Sequence, residues 1–128
     1  MAQVTLEQLS ADIWAVSLLG EHDISMVDAL RDRLAQAFAN DARLIIDLTD
    51  ATFVDSTVLG VLFAVIKQAT SAVGETLALV VRPGSAVDQT ITLTGFTPPF
   101  VATYPSRDRV LAAWQDGHHE RPNLVRGS

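Results

Sequence analysis

The chain has 128 residues, a length that fits one domain large enough to bury a core. Its net charge of −6 disfavours nucleic acid as the main partner, because phosphate binding needs clustered basic side chains and the nine Lys and Arg are scattered. The absence of cysteine excludes disulfides, thiolate catalysis and Cys-ligated zinc. The start of the chain lacks signal-peptide features and no apolar run is long enough to span a bilayer, so we expect a cytoplasmic protein that does not enter the membrane.

The N-terminal part of the chain predicts a β-hairpin. Residues 4–9 and 13–19 are rich in apolar side chains and are separated by a short polar turn, which is typical of two antiparallel strands. Residues 20–23, with the sequence Gly-Glu-His-Asp, close the second strand, and we expect His22 to be a solvent-exposed loop residue.

A helix and a buried strand are predicted next. Ser25 precedes apolar residues that recur at helical spacing, and Asp28 stands three residues later, which indicates a capped helix that ends near residues 40–41. Residues 43–48 contain a Leu-Ile-Ile run between polar residues, which is typical of a central strand buried on both faces.

The rest of the chain alternates helices and strands. The order predicts one α/β domain over residues 1–116, with a mixed sheet of about five strands and about four helices, followed by a flexible polar tail over residues 117–128. The predicted elements are a helix over residues 56–72 stopped by Gly74, a strand over residues 76–81, a helix over residues 85–93 stopped by Gly95, a strand near residues 100–103, and a helix capped by Ser106 with Val110, Leu111 and Trp114 facing inward.

Ser56 lies where the long apolar helix begins. A hydroxyl at that position can cap the helix by accepting a hydrogen bond from a free backbone N–H. It can also carry a phosphate, which the free N–H groups and the positive end of the helix dipole would stabilise. The residues alone leave both interpretations open, the cap being the commoner arrangement.

Four segments resemble one known family. Residues 53–62, FVDSTVLGVL, resemble the signature of STAS domains, especially the anti-sigma factor antagonists (anti-anti-sigma factors). Residues 20–23 resemble the family's Gly-Glu-x-Asp segment, residues 47–48 the strand before the signature turn, and residues 93–96 its later small-Gly-apolar segment. The matching order extends over most of the chain, so the resemblance implies the STAS fold for the whole domain.

The resemblance implies a role in transcription regulation through a protein partner. In such antagonists the Ser after the motif Asp is phosphorylated by an anti-sigma factor that is also a kinase using ATP and magnesium, which makes Ser56 the implied phosphorylation site. The unphosphorylated antagonist binds this kinase and the sigma factor is released; phosphorylation ends the binding, and a phosphatase resets the cycle. Asp23, Asp55, Ser56 and Thr57 are the implied partner-binding residues.

One position departs from the family pattern. The family commonly has Gly two residues after the acceptor Ser, where this chain has Val58. We expect a helix to tolerate Val there and the change to bear on kinase docking, because Val is bulkier and stiffer than Gly.

A phosphate on Ser56 would add about −1.5 to −2 charges beside Asp55 and Asp23. This predicts loss of partner binding, through repulsion and blocked packing, without loss of the fold.

Two other functions stay open from the sequence. A STAS domain that is never phosphorylated would serve as an adaptor or scaffold in a transporter or stress-sensing complex. His22, Ser56 and an Asp would form the triad of a small hydrolase, but the chain has no Gly-x-Ser-x-Gly elbow, and we expect no enzyme.

We expect neither cofactor nor metal, since no Gly-rich phosphate loop is present and the adjacent pair His118-His119 is not spaced for a shared ion. The sequence does not indicate the oligomeric state.

Overall fold

The computed structural model describes residues 2–38, 43–70, 77–93 and 102–120. These residues form six strands and four helices, with a single 3₁₀ turn, Ile24–Met26, before the first helix. In chain order the elements are β1 (Gln3–Ser10), β2 (Ile13–His22), α1 (Val27–Phe38), β3 (Arg43–Asp47), β4 (Ala51–Val54), α2 (Ser56–Thr70), β5 (Leu77–Val80), α3 (Ala86–Leu93), β6 (Ala102–Tyr104) and α4 (Arg107–Glu120).

One mixed sheet joins all six described strands. Its order is β1-β2-β3-β5-β6, and β4 pairs with the end of β2. β1 and β2 are antiparallel, which confirms the predicted hairpin, and the remaining pairs are parallel. The predicted α/β domain with a mixed sheet is therefore confirmed. β4 is an additional strand, in a segment that the sequence had indicated to be a turn.

The two faces of the sheet are covered by different helices. α1, α2 and α3 pack on one face, where Leu30, Leu34 and Leu62 are buried against the strands. α4 packs on the other face, where Val110 and Trp114 are buried as predicted. β3 is buried on both faces, which explains its continuous apolar run. None of the described helices is long and apolar enough to cross a membrane.

β2 pairs with two strands in succession. Residues 13–17 pair with β3 and residues 20–22 pair with β4. Gly20 and Glu21 face Ala51 and Phe53, so a bulge in this second pairing leaves Thr52 of β4 as the extra residue. Gly20 has a φ of 82°, a conformation that strains any residue with a side chain. The Gly20 N–H also donates to the carbonyl of Asp50, at 3.0 Å, in the turn before β4. The pairing and this hydrogen bond together bring the ends of β2 and β4 side by side.

Arg107, the first residue of α4, ties that helix to the sheet. Its Nε donates to Oδ2 of Asp47 at 2.6 Å, and its Nη2 donates to Oγ of Ser17 at 2.6 Å. Its Nη1 donates to Oε1 of Glu7 at 3.1 Å. Burial acts to raise the pKa of Asp47, but hydrogen bonds from Thr49 and Arg107 outweigh it and hold the pKa below its usual value. Asp47 is therefore charged at neutral pH, and Arg107 joins α4 to β1, β2 and β3.

The start of α1 differs from the prediction. The predicted capping box of Ser25 and Asp28 is wrong, because Asp23 caps the 3₁₀ turn and α1 begins only at Val27. The last helix begins as predicted, since the Arg109 N–H donates to the hydroxyl of Ser106 at 3.3 Å.

Several predicted end points fall on parts of the chain that the structure does not describe. The helix and strand ends predicted at residues 40–41, Gly74, Gly95 and Phe100 lie outside the described residues. The predicted domain boundary at residue 116 falls inside α4, and residues 121–128 of the predicted tail lie outside the described range. The division into a domain and a tail therefore stays a prediction.

Candidate functional site

Two acidic residues follow the paired ends of β2 and β4. β2 and β4 end on the paired residues His22 and Val54, and the Asp55 N–H donates to the carbonyl of His22 at 3.0 Å. Asp23 and Asp55 directly follow this last pair. The structure thus brings these two predicted site residues to one edge of the sheet, next to the start of α2.

Asp23 shapes the turn that leads into α1. Its Oδ1 accepts a hydrogen bond from the hydroxyl of Ser25 at 2.6 Å and another from the Ser25 N–H at 3.0 Å. These bonds, the hydroxyl first, lower the pKa of Asp23, and the neighbouring His22 adds to the effect. Asp23 is exposed and therefore presents a negative charge in a fixed position.

Asp55 caps α2. Its Oδ1 accepts a hydrogen bond from the Val58 N–H at 3.0 Å, and its carbonyl accepts one from the Leu59 N–H at 3.0 Å. These are the bonds that define an N-cap residue. The interpretation of Ser56 as the cap is therefore wrong, because the preceding carboxylate occupies that position and Ser56 is the first residue of the helix.

Small side chains form the exposed first turn of α2. Ser56 and Thr57 are exposed, and neither hydroxyl has a hydrogen-bond partner among the described residues. Gly60, one turn after Ser56, is also exposed, and a Cβ atom there would meet open space. Val58 is fully buried in the core, so the residue that departs from the family pattern adds no bulk to this surface.

Two large apolar side chains lie near this turn. Ile24 is 68% exposed and directly follows Asp23, in the 3₁₀ turn that contacts α2. Phe53 is 51% exposed and stands two residues before Asp55, on β4. We call Ile24 and Phe53 the apolar pair. Sequence reasoning assigned no role to either residue.

His22 is buried, so its predicted exposure is wrong. It is the last residue of β2 and its exposed fraction is 0%. Its Nε2 donates to the carbonyl of Leu19 at 2.9 Å, and its Nδ1 has no hydrogen-bond partner within the described part of the chain. Burial lowers the pKa of the imidazole, while the backbone carbonyls of Leu19 and Gln3 and the charge of Asp23 oppose this. No carboxylate orients the ring and Ser56 is not bonded to it, so the described geometry does not assemble a triad.

A separate cavity lies at the other end of β2, where this strand begins. It has a volume of about 550 Å³ and is lined in part by Leu9, Asp12, Arg43 and Trp114. The guanidinium of Arg43 stacks on the Trp114 ring at 4.8 Å and pairs with Asp12 at 3.5 Å. None of the predicted site residues lines this cavity. In the described ranges, no three His, Cys, Asp or Glu side chains are grouped so that they could hold a metal ion.

The fold and the site together define a class of protein. The chain forms a small α/β domain whose exposed hydroxyls and carboxylates meet where a strand enters a helix at one edge of a mixed sheet. The model of the STAS domain family matches residues 7–110, and the chain belongs to this family.

Solved structures of anti-sigma factor antagonists resemble the chain. An antagonist from Mycobacterium paratuberculosis is 27% identical, with a TM-score of 0.74 and coverage of 88% of this chain and 93% of that one. The anti-sigma factor antagonist SpoIIAA in its unphosphorylated form is 18% identical, with a TM-score of 0.71 and coverage of 89% and 97%. The Bacillus cell fate determinant SpoIIAA in its phosphorylated form is 16% identical, with a TM-score of 0.63 and coverage of 86% and 97%. The likeness to SpoIIAA shows the shared fold alone. No curated protein sequence matches the chain.

Proposed function

We propose that this protein is a cytoplasmic anti-sigma factor antagonist that binds an anti-sigma factor with kinase activity and releases a sigma factor, until phosphorylation of Ser56 ends the binding. The observation that carries the proposal is the position of Ser56, which is exposed at the start of α2 and is not used as the cap. The structural similarity to an antagonist that is 27% identical supports the same role. ATP would be bound by the kinase partner, and a phosphatase would restore the free hydroxyl.

The surface around Ser56 suits the approach of a kinase. The neighbouring exposed residues Thr57 and Gly60 are small, and Val58 points its bulk into the core. A bound protein can therefore come close to the Ser56 hydroxyl without meeting a large side chain on this turn. The burial of Val58 supports phosphorylation of Ser56 despite the departure from the family pattern.

A phosphate on Ser56 would act on the interface and leave the core intact. It would add about −1.5 to −2 charges next to Asp55, whose carboxylate already takes the Val58 N–H. The phosphate would therefore compete with the Asp55 carboxylate for the backbone N–H groups at the start of α2, and it would stay at the surface. A partner packed closely on this small first turn has no room for the phosphate, so the complex is lost while the domain remains folded.

Phosphorylation with the purified kinase, ATP and magnesium tests the assignment of Ser56. We expect intact-mass spectrometry to find one phosphate on the wild type and on Thr57→Ala, and none on Ser56→Ala, which should still bind the kinase. Thr57→Ala is the matched control because Thr57 is the adjacent exposed hydroxyl. A single phosphate on Ser56→Ala would contradict the assignment and make Thr57 the first alternative site.

The same variants separate the antagonist from the alternatives. An adaptor that is never phosphorylated would bind its partners equally as wild type and as Ser56→Asp. A hydrolase would turn over an ester substrate and lose this activity in Ser56→Ala. We propose that the chain itself catalyses no reaction, and turnover of any compound in a broad ester panel would contradict this.

A further inference from the structure

We propose that the apolar pair, Ile24 and Phe53, anchors the unphosphorylated chain in two apolar pockets of the kinase, and that basic side chains of the kinase surround those pockets. The inference rests on the proposed function and goes beyond it, because it names which side chains hold the partner and what chemistry the partner must present. It assigns a role to two residues outside the phosphorylated turn.

The apolar pair stands out because few large apolar side chains are exposed among the described residues. In the part of the chain that the structure describes, the large apolar residues that stand exposed are Ile24, Phe53 and Leu93. Two of the three therefore flank the start of α2, while Leu93 lies on α3. Large apolar side chains near the centre of an interface commonly supply most of its binding energy, so their presence at one edge indicates a docking surface.

The backbone holds the two anchors in fixed positions. The 3₁₀ turn that carries Ile24 is capped by Asp23 and contacts α2. Phe53 lies on β4, pairs with Glu21 of β2, and is followed by the buried Val54. Because neighbouring residues of a strand point to opposite sides, Phe53 faces away from the core that Val54 enters. Anchors that are ordered before binding lose little conformational entropy when a partner covers them.

The charges around the apolar pair identify the kind of partner. Glu21 and Asp23 are exposed, and Asp55 is half-buried next to them. The whole chain carries a net charge of −6. An acidic rim around two apolar anchors is complementary to a basic rim around two apolar pockets.

This arrangement also explains how one phosphate can end the binding. Phe53 lies on β4 and Ile24 in the 3₁₀ turn that follows β2, and the small first turn of α2 begins directly after β4. Because the 3₁₀ turn contacts α2 and Ser56 is the first residue of α2, we expect a partner that covers both anchors to lie close to Ser56. A phosphate there would hold the partner away from Ile24 and Phe53 together, even where its rim is basic.

Binding of substituted chains to the purified kinase that phosphorylates Ser56 tests the inference. The anchor variants are Ile24→Thr and Phe53→Thr, and Thr is chosen because it is compatible with both the turn at Ile24 and the strand at Phe53. Leu93→Gln is the control, since Leu93 is an exposed apolar residue on another element. We expect calorimetric titration to give Kd values about tenfold higher for each anchor variant and unchanged for the control. All three variants should keep the wild-type melting temperature.

Single cysteines provide a second measurement, since the chain contains none. The kinase should slow thiol labelling of Ile24→Cys and Phe53→Cys severalfold and leave labelling of Leu93→Cys unchanged. If the kinase phosphorylates Ser56 but binds both anchor variants as tightly as wild type and protects neither cysteine, the anchors are wrong and the proposed function stands. If no anti-sigma factor kinase binds the wild type, both fail.

Discussion

At the scale of single residues, the choice of helix cap decides what Ser56 is free to do. Asp55 accepts the hydrogen bond from the Val58 N–H, so the Ser56 hydroxyl contributes little to holding the helix. Modification of Ser56 then changes the surface without removing a structural bond. Separating the cap from the modified residue would allow a switch to operate on a stable domain.

The first prediction compares the two adjacent residues. Asp55→Ala should lower the free energy of unfolding by about 1 kcal/mol, because it removes the cap of α2. Ser56→Ala should change it by less than about 0.5 kcal/mol, since its exposed side chain has no partner among the described residues. Urea unfolding followed by circular dichroism measures both. A larger loss for Ser56→Ala than for Asp55→Ala would contradict the assignment of the cap.

The second prediction concerns Val58. Replacing it with the family's Gly should lower the free energy of unfolding by about 3 kcal/mol, because the change empties a fully buried site and places Gly in a helix. Thermal unfolding provides the measurement, with Gly60→Ala as the control on the exposed side of α2. Gly60→Ala should stabilise the chain slightly, since its new methyl group meets open space. Equal stability of Val58→Gly and wild type would show that Val58 does not fill the core.

The sequence indicates which residues lie at the candidate site, but it does not indicate which of them caps α2 and which keeps a free hydroxyl. The start of α2 is visible because an apolar helical pattern follows a strand and a polar turn. Asp and Ser are both preferred caps, so two adjacent candidates cannot be ranked without the hydrogen bonds. The burial of His22 could not be predicted from the sequence either. His22 pairs with β4, and a strand of only four residues gives too short a pattern to be recognised.

At the scale of elements, the two successive pairings of β2 place the candidate site. β2 pairs first with β3 and then, from Gly20 onward, with β4, and the second pairing brings Asp23 and Asp55 to the same edge. A glycine before an acidic segment suggested only the end of a strand. The bulge could not be inferred from sequence, because it is defined by the register between two strands that are distant in the chain.

The third prediction tests the conformation of Gly20. Gly20→Ala should lower the free energy of unfolding by about 1–2 kcal/mol, because a side chain is strained at a φ of 82°. It should also weaken partner binding, since relief of the strain would displace β4 and Asp55. Chemical denaturation and titration with the kinase measure the two effects. Wild-type stability of Gly20→Ala would contradict the conformation assigned to Gly20.

The fourth prediction concerns the contact between α4 and the sheet. Arg107→Ala should lower the free energy of unfolding by about 2 kcal/mol at neutral pH, because it leaves the charge of Asp47 without its cation. The pKa of Asp47 is lowered in the folded chain, so the unfolded chain takes up this proton first as the pH falls below about 4. The stabilisation is therefore complete above the unfolded pKa and is lost as the pH falls through the folded one.

Unfolding curves at several pH values provide the test of this network. The stability difference between wild type and Arg107→Ala should shrink below about pH 4. Arg109→Ala is the control, because Arg109 is exposed on the same helix. A difference that is constant with pH would mean that Arg107 acts through packing alone. Arg107 lies 60 residues from Asp47, so no local pattern in the sequence could have indicated their contact.

At the scale of the whole molecule, the contacts that hold the helices on the sheet lie apart from the candidate site. α4 and its ion pairs close one face of the sheet, three helices close the other, and the exposed hydroxyls and apolar pair stand at one edge. The fold was predictable because hydrophobic periodicity and the order of elements specify a mixed α/β domain. Changes at the exposed edge should therefore alter binding while leaving the domain folded.

Capture of partners by wild type and by Ser56→Asp, compared by mass spectrometry of the bound proteins, tests the central claim most directly. Native lysate is the source, and matched circular dichroism spectra and melting temperatures would establish that both forms are folded. We expect the wild type to retain an ATP-binding anti-sigma factor kinase and Ser56→Asp to lose it. Retention of the same partners by both forms would contradict a switch at Ser56 and would make the protein an adaptor.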